Sequence, residues 1–433
     1  MNSIDQSVYA SKDYKRSRAA YRWECTFEYF VSLLVADAFL AKLLSSLGMS
    51  DAMIGIISSF ITLAFLFQLF SIFVVQRITN TKRFVILFHT LSQLFFMCLY
   101  LIPFMPFAKA YRHGLVMLCV LAAYFGNYLV TSMIFKWGNS FVDPHKRASY
   151  SAGKEMLSLV AGMVMTVILG AVMDAFEAAD NLHGGFLFAA ISILIFCVCD
   201  FICLMLIKNE IKPRVEKKEL VPMREVLRNT LGNRNFRSVV VLTILWDLAR
   251  YTTVGFLGTY RIGELAFSVA AVQIINLIGN AGRFALSKPF GRFSDKYSFA
   301  RGVEVALILA AVGFGTVIFT TPESKYLIVV YTLFYYMSLA GANQNLYNIT
   351  YSYVDSKYFV QASAIKNSIG GIFGFGATLI AGKLLSVVQA NGNQMFGMTI
   401  YGQQLLGAIS LVWLIAAILY THFVIAKQKV MIQ

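Results

Sequence analysis

The sequence is short of charge. Asp, Glu, Lys and Arg make up 14% of its 433 residues against 58% hydrophobic, and mean hydropathy is +0.66. Soluble domains run near half apolar and a quarter charged, so a water-soluble enzyme is disfavoured from the outset. Proline is scarce too, and its seven copies fall in connections or at expected helix ends, where a missing N–H does no harm. The six cysteines all lie in apolar runs and form no exposed pair, which excludes a disulfide framework or a CxxC metal site. No G-x-x-x-x-G-K-[ST] loop is present, so ATP is not the direct energy source. The five histidines are scattered over different segments, giving no catalytic cluster, and neither a cofactor nor a metal is expected. Residues 1–22 are polar, carry five basic residues and have no small-residue cleavage site; this leader is expected to stay, on the cytosolic side.

What the chain does have is apolar runs of spanning length. They lie at about 23–47, 54–75, 84–102, 114–136, 156–176, 185–207, 238–260, 267–288, 302–320, 326–348, 363–388 and 404–425. Only helices and closed barrels satisfy backbone hydrogen bonds in lipid, and runs near ~20 residues without polar alternation choose helices. The expected fold is an all-α membrane protein with twelve transmembrane helices. With the first end inside, 29 Lys and Arg fall in cytosolic segments and four in external ones, so both termini face the cytosol in a multi-pass cell-membrane protein. The net charge of +15 therefore belongs to the membrane surface, and no nucleic acid is expected as a partner. One long connection, 208–237, holds nine Lys and Arg and divides the spans six and six: a bundle over 1–207, a basic linker, and a second bundle over 238–433. A short surface helix around 223–231 is one reading of the linker, and a solvated tether is the other.

The halves repeat each other. An offset of 215 aligns Gly48 with Gly263 and Arg77 with Arg292, and an offset of 212 aligns Asp143 with Asp355 and Lys154 with Lys366. The turn Gly291-Arg292-Phe293-Ser294-Asp295-Lys296, followed by Arg301, resembles the G-x-[LFI]-x-D-[RK]-x-x-x-[RK] loop of the major facilitator superfamily. Its counterpart in the first half keeps Arg77, Lys82 and Arg83 but has Gln76 and Asn80 in place of the glycine and the acid, while Asp143-Pro144-His145-Lys146-Arg147 resembles the family's next cytosolic turn. The resemblance implies two pseudo-symmetric six-helix bundles rocking about a mid-membrane site. It also implies that Gly291 permits close backbone approach and that Asp295, Lys296 and Arg301 form a charge cluster at a cytosolic gate. Two family patterns are missing, a membrane-embedded arginine in the fourth span and a Gly-Pro pair in the fifth, which lowers the case for drug efflux.

Ionisable side chains at membrane depth are costly and are functional candidates by default. In such a bundle the first, fourth, seventh and tenth spans line the central cavity. The first holds Glu24, Glu28, Asp37 and Lys42. Asp37 lies about 21 Å along its helix, near the midplane, and is the candidate proton carrier, with packing against Lys42 as the alternative. Glu24 and Glu28 share a face, but their place near the cytosolic end fits contact with basic loops as well. The seventh span carries Asp247 and Arg250 at i,i+3, and Arg283 of the eighth lies at similar depth, which gives a candidate three-member network for an anionic substrate or a gate. Tyr124 and Asn127 in the fourth span, and Asn343, Gln344 and Asn345 in the tenth, complete a candidate polar pathway, although each one alone serves equally as interhelical glue.

The expectation is a secondary transporter that moves a small polar solute, anionic solutes included, by alternating access. Uptake coupled to protons is preferred over sodium coupling, and the protein is expected to act as a monomer in the bilayer. The alternatives are proton-driven efflux of drugs or metabolites, and a transport-inactive receptor or scaffold.

Overall fold

A computed structural model describes residues 9, 11–75, 78, 80–142, 147–208, 223–355, 358–395 and 397–428. Almost all of this is helix, with a two-residue hairpin pairing Gln394–Met395 with Met398–Thr399. Two compact units emerge: Met1–Gly48 with Phe70–Glu219, and Met49–Leu69 with Leu220–Gln433. The second apolar run thus packs with the second unit as far as Leu69, although in sequence it precedes the basic connection.

In the first unit, α1 (Lys12–Leu34) starts at Ser11, whose side chain accepts from the Tyr14 N–H, and stops at a break before α2 (Asp37–Ser46). Asp37 opens α2 with φ of +45°, a left-handed conformation that costs a non-glycine residue strain. After α3 (Asp51–Ser58) and α4 (Phe60–Val75), the unit continues with α5 (Thr81–Leu101), α6 (Lys109–Asn139), α7 (Arg147–Ala178) and α8 (Leu182–Leu206). Asn80, which replaces the acid of the expected turn, caps α5 by accepting from the Arg83 N–H at 3.2 Å. α1 packs on α7 and α8, and α5 packs on α6 and α8. Gly162 permits the α1–α7 approach, because a Cβ there would lie 2.3 Å from the Tyr29 ring.

The second unit contains α3 and part of α4 together with α9 (Met223–Thr230), α10 (Arg234–Thr253), α11 (Val269–Lys296), α12 (Phe299–Ile318), α13 (Leu327–Tyr353), α14 (Phe359–Ala390) and α15 (Gly402–Phe423). α10 runs on through a 3-10 turn into a π-helical turn, Tyr260–Glu264. The interfaces are α12 with α13 and α15, α11 with α13, and α10 with α14 and α15, around a core that includes Trp246, Phe314 and Tyr331. α3 lies on α14, where Asp51 accepts a hydrogen bond from Gln389 at 2.8 Å.

Among the described residues, nine helices are long and apolar enough to cross a membrane. The departures from twelve have local causes. The first and second runs are interrupted at Val35–Ala36 and Ser59, and the tenth, α13, is diluted by tyrosines and by Asn343, Gln344, Asn345 and Asn348.

Two further expectations are corrected. Pro289 is not at a helix end: α11 continues seven residues beyond it to Lys296, so the turn motif is largely helical. The linker segment Met223–Thr230 is not a solvated tether: it is a helix that packs on protein. Val226 and Thr230 are buried, Val226 packs in a cluster with Phe236 and Tyr358, and the Tyr358 hydroxyl donates to Glu225 Oε1 at 2.5 Å.

Candidate functional site

In the first unit, polar side chains converge between α1, α5 and α8. Glu24, His89 and Asp200 are 0% exposed and Gln93 is 3% exposed. His89 and Gln93 sit four residues apart on one face of α5. Gln93 Nε2 donates to Asp200 Oδ2 at 3.0 Å and lies 2.9 Å from His89 Nε2. His89 Nε2 is 3.1 Å from Asp200 Oδ2 and 3.9 Å from Glu24 Oε1. The other Glu24 oxygen accepts from the Cys25 thiol at 3.1 Å, and Lys154 of α7 reaches Cys25 Sγ at 3.2 Å and the Tyr21 hydroxyl at 3.3 Å. Burying two carboxylates without compensation costs several kcal/mol per ion, so the site is built to share a proton or a cation. One ligand atom from each of Glu24, His89 and Asp200 lies within 4.8 Å of the others, a nitrogen and two oxygens that could also hold a divalent metal ion.

Sequence reasoning missed this cluster. It places Glu24 near the cytosolic surface, whereas the side chain is sealed in the interior, and it sets His89 aside with the scattered histidines. The available signal was Asp200, a carboxylate inside an otherwise apolar 25-residue helix, which the rule that selected Asp37 would also have selected. Glu28, a candidate from the sequence, is half-buried and close enough to act electrostatically on Glu24, His89 and Asp200. Asp37 is half-buried at the α1–α2 break, and Lys42, its suggested partner, pairs instead with Glu177.

In the second unit, α10 presents Asp247 and Arg250 on one face, with Asp247 Oδ1 3.7 Å from Arg250 Nη1. Arg250 Nε donates to the Tyr335 hydroxyl at 3.2 Å, and the guanidinium lies 5.4 Å from the Trp246 ring and 5.1 Å from that of Tyr251. Tyr335 stacks on Tyr331 with centroids 5.5 Å apart. From α14, the buried Lys366 donates to Thr350 Oγ1 at 3.4 Å, sits over the Tyr347 ring and acts electrostatically on Asp247. One turn along, Gly370 lets α14 meet Asp247: a Cβ there would lie 2.3 Å from Oδ2. The expected pairing of Asp247 with Arg250 is present, but the third member is not. Arg283 is half-buried on α11, and its side chain makes no hydrogen bond or ion pair among the described residues. Tyr335 and Lys366 occupy the roles assigned to it, because Gly370 brings α14 close to α10.

The remaining candidates divide. Tyr124 packs edge-on against Phe96 with centroids 5.3 Å apart, and Asn127 Oδ1 accepts from Thr131 at 3.2 Å. Asn343 is exposed, and the side chain of Gln344 lies outside the described residues. Asn345 is buried against Gly302, where a Cβ would lie 2.4 Å from its Nδ2, so its position is that of interhelical packing. At the turn motif, a Cβ on Gly291 would meet nothing within 4 Å, which removes the expected close approach there. Asp295 and Lys296 are exposed. Arg301 donates to Glu304 Oε2 at 2.6 Å and approaches His422 Nδ1, itself 2.8 Å from Glu304 Oε1, so the charge cluster joins α12 to α15 rather than including Asp295. Asp143, Pro144, His145 and Lys146 of the first-half turn lie outside the described residues.

The sequence profile of the Major Facilitator Superfamily matches residues 25–378. The chain belongs to the major facilitator superfamily. Solved structures agree on the fold. The nucleoside transporter NupG superposes with a TM-score of 0.72 at 13% identity, covering 97% of this chain and 100% of its own. A bacterial homologue of the human lysosomal transporter Spinster, inward-facing and unoccupied, gives 0.66 at 14% identity over 99% and 100%. A bacterial homologue of the iron transporter ferroportin gives 0.66 at 12% over 95% and 98%. No curated protein sequence matches the chain. As a superfamily member the protein is a secondary transporter of the membrane and not an enzyme.

Proposed function

We propose that this superfamily member takes up a small polar solute bearing an anionic group, driven by a proton gradient, by alternating access between a bundle over 1–207 and one over 238–433. The observation that carries the reading is the Asp247–Arg250–Tyr335 group with Lys366 beside it: two buried or half-buried cations face a single carboxylate. The surplus positive charge is costly in lipid and is offset when an anion arrives. A carboxylate or phosphate can take two parallel N–H bonds from the Arg250 guanidinium. Trp246, Tyr251 and Tyr335 around the guanidinium supply flat faces for the apolar part of such a solute.

The bias of 29 cytosolic to four external Lys and Arg supports placing both termini in the cytosol of a cell membrane. Protons suit the coupling better than sodium because single carboxylates suffice to carry them. A monomer contains every group the cycle needs. The test is counterflow in proteoliposomes across a metabolite panel. Wild-type protein should exchange anionic members preferentially, and Arg250→Gln should lose them while sparing neutral ones. Equal losses for both classes would return Arg250 to a packing role, and lower solute content in expressing cells would reverse the direction to export.

A further inference from the structure

We infer that Glu24, His89 and Asp200, with Gln93, form the proton-binding site of this transporter, inside the first unit and apart from Asp37. The inference deepens the proton-coupled reading above and rests on it for its role in the cycle, though not for its existence.

The geometry is that of a site with one proton too few. His89 Nε2, Asp200 Oδ2 and Gln93 Nε2 form a triangle with edges of 2.9, 3.0 and 3.1 Å. If the imidazole is neutral with Nε2 bare, Gln93 can donate to both neighbours, but two lone pairs then face each other across the His89–Asp200 edge. If Nε2 carries the hydrogen, it satisfies Asp200 and opposes the Gln93 amide hydrogens. A proton added to the bare Nε2 turns the facing lone pairs of the His89–Asp200 edge into a hydrogen bond between an imidazolium and a carboxylate. Glu24 Oε1, Asp200 Oδ1, Gln93 Oε1 and His89 Nδ1 are buried and have no hydrogen-bond partner among the described residues. Glu24 Oε1 is 3.9 Å from His89 Nε2, which offers a second resting place for the same proton.

The elements packed on the cluster carry further titratable groups, of which Glu28 and Lys154 are the charged ones. α1 adds Tyr21, Cys25 and Glu28, α7 adds Lys154 and Tyr150 on the far side of Tyr21 and Cys25, and α8 adds Cys197 and Cys203. The sole certain cation among these groups, Lys154, faces Cys25 and not the His89–Asp200 pair. The half-buried Glu28 lies one helical turn from Glu24, so a proton has a stepping stone toward a more accessible level.

The experiment needs no substrate. pH-difference infrared spectra of the full chain in lipid vesicles, in H2O and D2O, should show a protonated-carboxyl carbonyl band whose amplitude titrates. Asp200→Asn and Glu24→Gln should each remove or shift that band, and His89→Gln should move its midpoint by at least one pH unit. Circular dichroism and thermal unfolding at two pH values identify any variant that fails to fold. For such a variant, the ¹⁵N-histidine signal of His89 in the wild-type chain substitutes, and it should titrate together with the carboxyl band. A band unchanged in all three variants overturns the inference, as does a His89 signal that does not titrate. Stoichiometric Zn²⁺ or Mn²⁺ binding that Asp200→Asn abolishes also overturns it, in favour of a metal site. A titrating band in a protein that shows no proton-driven transport would leave the site standing and remove the coupling.

Discussion

The two units bury opposite signs of charge. In the first, two sealed carboxylates share one histidine between α1, α5 and α8; in the second, Arg250 and Lys366 outnumber Asp247 between α10, α13 and α14. The contrast is sharpened by the internal repeat. Lys154 and Lys366 are aligned by the 212-residue offset, and each lies over a tyrosine ring, Tyr21 at 4.5 Å and Tyr347 at 4.9 Å. Yet Lys154 contacts Cys25, one position from a carboxylate that is occupied by a thiol, while Lys366 acts directly on Asp247. The two aligned lysines thus lie in different surroundings, near a carboxylate–histidine cluster in one half and beside Asp247 and Arg250 in the other. A proton and an anion entering separate units would each cancel a local imbalance.

The comparison breaks most readily at Arg250. Removing one partner of a buried ion pair costs about 3–5 kcal/mol, so Arg250→Gln should reduce anion counterflow by at least ~100-fold. The same variant should leave the infrared proton titration of the first unit unaltered. Next come the paired glycine variants Gly370→Ala and Gly162→Ala, whose added Cβ atoms would lie 2.3 Å from Asp247 Oδ2 and from the Tyr29 ring. Each should cost about 1–3 kcal/mol of stability by overpacking, read as a lower thermal midpoint, but only Gly370→Ala should also weaken anion transport. Tyr335→Phe removes one hydrogen bond to Arg250 and should cost about 0.5–1.5 kcal/mol, seen as a rise of a few-fold in the half-saturating anion concentration.

The smallest effect belongs to Asp13, at the surface. The Lys208 ammonium beside it, by hydrogen bond and charge, holds its carboxyl below the usual aspartate range. A depressed carboxyl contributes at neutral pH and loses that contribution as pH falls through its folded value. Asp13→Asn should therefore lower the thermal midpoint slightly at neutral pH, with the difference vanishing in acid. Because the pair is exposed and screened, a large effect would mean that it fastens the linker rather than the surface.

Much of this was legible in the chain. Scarce charge, apolar runs of spanning length and the turn at Gly291 led to the all-helical fold and the family. The Asp247–Arg250 pair followed from i,i+3 spacing alone. What spacing could not supply was contact between segments far apart in sequence. His89 and Asp200 are 111 positions apart and meet only because α5 packs on α8. Lys366 replaces Arg283 because a glycine one turn away lets α14 close on α10. Distance from the end of its run puts Glu24 near the cytosolic side, and burial depends instead on the helices around it. The missing N–H predicts a helix end at Pro289, but α11 runs past it to Lys296.

The division of labour between the units is tested most directly in one vesicle preparation carrying Asp200→Asn. Exchange of an anionic solute at equal pH on both sides should proceed at close to the wild-type rate, while accumulation driven by an imposed pH difference should be lost. If exchange and accumulation fall together, or if accumulation persists, the proton is not held where this account puts it.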